Sequence, residues 1–82
     1  AEARLQEAAE EWAGRYGLSP TEVAILIATA EGSSREKVID ERDIALATFK
    51  RHVANLLGKT QDQTLMHAAA RLLREVGRVG SR

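Results

Sequence analysis

The chain has 82 residues, enough for one compact core, since a domain this small buries only about 60% of the surface its unfolded chain exposes. It contains one Pro, three aromatic residues, no Cys, and twelve acidic side chains against twelve basic ones. These values exclude a disulfide framework, a thiolate metal site and a cysteine nucleophile, and no apolar run reaches the roughly 18 residues of a membrane span, so a cytoplasmic, all-helical domain is expected.

In chain order, Leu5, Ala8, Ala9, Trp12 and Tyr16 recur at helical spacing and predict a leading helix over residues 2–16. Gly14 and Gly17 stop it. Ser19-Pro20-Thr21-Glu22 then supplies a capping Ser, a Pro at the first helical position and a Glu able to bond back to the cap. The second helix, which starts there, has Val23, Leu26, Ile27 and Ala30 as its inner face. Gly32 ends it, and Ser34 opens a short third helix over about 34–42 with Val38 and Ile39 as its apolar share.

Phe49, Val53, Leu56 and Leu57 stand at i, i+4, i+7 and i+8 and predict a fourth helix over about 46–59. A fifth is expected from Thr64 to about Val76, with residues 78–82 fraying.

Charge is distributed unevenly along these elements. Residues 1–43 sum to −5 and residues 44–82 to +5. The overall zero argues against a nucleic-acid binder, whereas the split marks the second half as a candidate surface for an anionic partner.

Projected at about 100° per residue, the fourth helix turns Ala47, Arg51, Ala54 and Gly58 away from its apolar side. Small residues around one Arg let a backbone approach base edges while the guanidinium reaches a guanine. Lys50 and Asn55 flank the stripe, and Thr48, His52 and Lys59 line an edge suited to phosphate oxygens. The same pattern also describes an ordinary amphipathic helix with a mildly basic exposed side.

Three blocks carry a resemblance: Leu18-Ser19-Pro20-Thr21-Glu22, Ala30-Glu31-Gly32-Ser33-Ser34, and Thr48-Phe49-Lys50-Arg51-His52-Val53-Ala54-Asn55-Leu56-Leu57-Gly58-Lys59. Together they resemble the LuxR-type (GerE-like) helix-turn-helix of bacterial transcription regulators, with the interval between the second and third blocks kept without a gap. The resemblance implies a four-helix DNA-binding domain over residues 18–77, preceded by an additional N-terminal helix or connector over 1–17. It makes the helix at about 46–59 the recognition helix and sets the one at about 34–42 across the DNA backbone. Carried over residue by residue, Lys50, Arg51, Ala54 and Asn55 face bases, and Ser34, Arg35, Thr48, His52 and Lys59 meet the DNA backbone. The chain departs from the family at Lys37-Val38-Ile39 and Arg42. It departs again at Ala45, which stands where a capping Ser or Thr is common and leaves Asp43 as a substitute cap.

On the last helix Met66, Ala70 and Leu73 form a second apolar stripe beside Leu65, Ala69, Leu72 and Val76. The resemblance implies that this stripe pairs two copies on DNA; the alternative is that the leading helix covers it with Leu5, Trp12 and Tyr16. The expected partners are double-stranded DNA, a second copy, an upstream sensory or receiver domain and RNA polymerase. No cofactor and no enzymatic activity are expected, since the two His residues lie on separate helices and no hydrolase or nucleotide-binding motif occurs. Two alternatives stand beside DNA binding by a regulator: a helical protein-interaction module, and a sigma-factor-like promoter-reading domain.

Overall fold

The computed structural model describes residues 2–80, with side chains over residues 4–77. Its five helices are α1 (Glu2–Tyr16), α2 (Pro20–Ala30), α3 (Arg35–Arg42), α4 (Leu46–Thr60) and α5 (Leu65–Gly80). No strand occurs among the described residues, and none of their helices is long and apolar enough to cross a membrane.

The turns follow local chemistry. Gly17 takes φ +71°, and the N–H groups of Gly17 and Leu18 donate to the Ala13 carbonyl at 2.9 and 3.1 Å, closing α1. At the start of α2 the Ser19 hydroxyl accepts the Glu22 N–H while the Glu22 carboxylate accepts the Ser19 N–H, so both halves of the capping box form. Gly32, at φ +93°, ends α2, and the Ser34 hydroxyl caps α3 through the Lys37 N–H.

The start of α4 differs from expectation. Asp43 is not its cap: it takes a left-handed conformation, φ 53°, and closes α3 through its N–H to Asp40 and Ile39. Ala45 occupies the α4 cap position with no side-chain hydrogen bond, so α4 is held by packing rather than by its own first turn.

α2 lies at the centre. Val23 and Leu26 join Leu5, Ala9 and Trp12 of α1, Leu56 of α4, and Ala68, Ala69 and Leu72 of α5 in the main cluster. Ile25, on the other side of α2, meets Val38 of α3 and Phe49 of α4 in a second cluster. A helix buried on two sides is apolar nearly all round, which is why Ile25 escaped a reading that sought one inner stripe. Leu26, Leu56 and Leu72 are fully buried, each contributing roughly 1.5–3 kcal/mol of transfer free energy.

Within the expected N-terminal helix or connector, Leu5, Ala9 and Trp12 of α1 share the main core with α2, α4 and α5. The backbone of α5 is helical to Gly80; residues 81–82 of the expected frayed tail lie outside the described residues.

Leu56→Ala is expected to lower the unfolding free energy by about 2–5 kcal/mol, because it leaves a cavity in the main cluster. Met66→Ala, at a position 71% exposed, is expected to change it by less than about 0.5 kcal/mol. Urea titration followed by helical circular dichroism measures both.

Candidate nucleic-acid interface

α4 divides cleanly into two faces. Phe49 and Leu56 are buried, Val53 and Leu57 are half-buried, and Ala47, Lys50, Arg51, Ala54, Asn55 and Gly58 make an exposed arc. All four residues expected to face bases, Lys50, Arg51, Ala54 and Asn55, are therefore open to solvent. Among the described residues neither Lys50 nor Arg51 takes part in an ion pair.

Of the residues expected at the DNA backbone, Ser34 and Arg35 are exposed at the start of α3. They border one groove with Lys50 and Ala54 of α4, so two helices bring these four residues together. Arg35 lies 3.7 Å from Glu36, a loose pair between exposed side chains that contributes little. The Ser34 hydroxyl already accepts the Lys37 N–H at 3.1 Å, which leaves its own proton to donate outward. Thr48 and His52 are half-buried on the flank of α4.

Lys59, expected at the DNA backbone, is already paired within the fold. Its Nζ donates to Glu22 Oε1 at 2.8 Å, and the Glu22 side chain is only 4% exposed. Burial pushes the Glu22 carboxyl up, but the Lys59 ammonium and the Ser19 N–H outweigh that and hold it below the ordinary carboxylate value. Lys59 thus compensates a buried charge, and withdrawing it toward a phosphate would leave Glu22 unpaired.

The network around Arg71 was missed by sequence reasoning. Its guanidinium grips Asp62 with two hydrogen bonds of 3.1 and 3.0 Å, donates to the Tyr16 hydroxyl at 3.0 Å, and lies 4.2 Å over the Trp12 ring. Trp12 in turn donates from Nε1 to Glu75 at 2.9 Å. Burial raises the Asp62 carboxyl, yet the bonds from Arg71 and Thr60 bring it below its ordinary value. Arg71 lowers the Tyr16 hydroxyl in the same way, against the effect of burial. Pairing across the α4–α5 turn and onto α1 has no periodic signature, so only the fold reveals it. His67 has Nδ1 3.7 Å from Asp62 with its side chain about half exposed.

Part of the basic excess of the second half is therefore neutralised within the fold at Lys59, whose partner Glu22 belongs to the first half, while Arg71 pairs with Asp62 of its own half. The stripe proposed for self-association is open: Met66 is 71% and Leu73 46% exposed, and Ala70 is exposed between them. α1 does not cover it, because Leu5 and Trp12 pack instead with Ala68, Ala69 and Leu72.

A scan against protein-family models finds no match to the chain, and searches of curated proteins and of solved structures return no significant match.

Lys59→Met is expected to destabilise the protein by about 2 kcal/mol, less than a fully buried pair because Lys59 is itself partly exposed. Glu22 and Asp62 both have native pKa values below their unfolded ones, so the unfolded chain binds more protons and stability falls as pH drops through the native values. Urea midpoints should hold steady from neutrality to about pH 5 and decline below about pH 4, less steeply in Glu22→Gln. An unchanged midpoint in Lys59→Met contradicts this account of the pair.

Proposed function

We propose that the chain binds duplex DNA sequence-specifically, as the helix-turn-helix output module of a bacterial transcription regulator of LuxR type, with α4 in the major groove. One observation carries the proposal: Lys50, Arg51, Ala54 and Asn55 form a continuous, solvent-open arc on α4, with the two cations unpaired among the described residues. The opposite face of that helix is committed to the core through Phe49 and Leu56.

In this reading Arg51 donates two hydrogen bonds to guanine O6 and N7, and Asn55 pairs with an adenine edge. Ala54 lets the helix backbone come close and offers its methyl to a thymine. Lys50 reaches a base acceptor at the rim. Ser34, Arg35, Thr48 and His52 meet phosphate and fix the register, carrying no sequence information of their own.

With Lys59 and Arg71 occupied elsewhere, one copy has few cations for phosphate, and a single domain attaches weakly. Two copies joined through Met66, Ala70 and Leu73 double those contacts and read two half-sites.

Arg51→Ala is expected to relax base preference by about 1–3 kcal/mol at one position, whereas Arg35→Ala weakens all duplexes alike and reduces the salt slope by about 1. Selection from a random duplex pool, followed by titration at two salt concentrations, separates the two; equal losses on selected and random DNA for both variants contradict the division of roles. Leu73→Glu is expected to abolish cooperative occupancy of paired half-sites while leaving single half-site affinity intact. Sedimentation with one-site and two-site duplexes reads this outcome.

A further inference from the structure

The groove that brings Ser34, Arg35, Lys50 and Ala54 together has an apolar interior of about 590 Å³. Val38 and Phe49, both 4% exposed, form its floor. Val53, Leu57 and Leu65 form half-buried walls, and Met66 stands exposed at its lip. The space exists because the chain turns from α2 into α3 through Ser33, a small residue whose N–H closes on the Ala28 carbonyl at 2.9 Å and whose side chain cannot fill the gap between α3, α4 and the start of α5. Arg35 and Lys50 border this apolar slot. Lys50 has no ion-pair partner among the described residues, and Arg35 only the exposed Glu36.

We propose that this groove is a docking site for an acidic amphipathic helix of a protein partner, whose apolar side chains enter the slot while its carboxylates meet Arg35 and Lys50. Charge complementarity selects the sign of the partner. Openness selects its form: a slot with an exposed lip leaves a small apolar ligand largely wet, whereas a helix laid across it closes the opening with its own backbone and flanking residues. A polarisable, flexible Met at the lip suits an adaptable contact of this kind. The groove shares Ser34, Arg35, Lys50 and Ala54 with the surface proposed for DNA, so the helix and the duplex exclude one another. That exclusion rests on the proposed DNA reading, whereas the docking does not.

The test uses the full chain and a fluorescein-labelled helical peptide of about 18 residues, with Leu at i, i+4 and i+7 and Glu on the flanking positions, beside a matched peptide carrying Lys for Glu. Fluorescence anisotropy is expected to show micromolar binding of the acidic peptide and at least about tenfold weaker binding of the basic one. Ser33→Leu, which fills the slot, and Lys50→Glu, a surface change that leaves the core untouched, are each expected to weaken the acidic peptide by about tenfold or more, with helical circular dichroism unchanged. Equal binding of the two peptides, no binding at millimolar concentration, or full binding by both variants overturns the docking. Duplex titrations on the same proteins separate the two ideas: peptide binding without any duplex binding sinks the DNA reading alone, and duplex binding without peptide binding sinks the docking alone.

Discussion

The arrangement depends on how α4 is held, and the contact that fixes it is the buried carboxylate of Glu22. One oxygen of that carboxylate accepts the Ser19 N–H at 2.9 Å and the Lys59 ammonium at 2.8 Å, tying the first turn of α2 to the last turn of α4. In energy the apolar core outweighs it, since three fully buried leucines together exceed any net gain from a buried ion pair, whose desolvation cancels much of its attraction. What the pair supplies is direction. α4 has no side-chain cap at Ala45, so its placement comes from Phe49 and Leu56 pressed into the core and from Lys59 anchored at its far end. With both anchors on one side, the arc from Lys50 to Asn55 faces outward.

That arrangement reconciles a net charge of zero with the anionic partner proposed for α4. Acidic side chains on α1 point to solvent at Glu7, Glu10 and Glu11, while Lys50 and Arg51 sit on a different helix in surroundings of small and apolar residues. Over the roughly 8 Å screening distance of physiological salt, a partner at α4 responds to the local cations and not to the sum over the chain. The cations that the fold uses internally, Lys59 and Arg71, are those closest to buried carboxylates. The rest of the basic character of α4 is left on its outer surface.

The five helices were legible in the sequence because their signals are local: the Ser19-Pro20-Thr21-Glu22 start, the glycines at 17 and 32, and the spacing of Phe49, Val53, Leu56 and Leu57. The outward position of Lys50, Arg51, Ala54 and Asn55 followed from the same periodicity, since turning one face inward turns the other outward. Residues whose partners are distant in sequence were read less well. Lys59 looks like any basic residue on a helix edge until α2 brings Glu22 beside it, 37 positions away. The Arg71 network joins α1, the α4–α5 turn and α5, and Asp43 serves the helix before it rather than the one after. Ile25 was missed because α2 packs on two sides, which a single apolar stripe does not encode.

The most direct measurement is a backbone amide NMR titration of the protein with duplex DNA selected from a random pool. The account predicts that shifts concentrate on residues 47, 50, 51, 54 and 55 of α4 and on Ser34 and Arg35 of α3, with α1 unmoved. Shifts centred on the outer faces of α1 and α2, or none at DNA concentrations that saturate a gel shift, would contradict it.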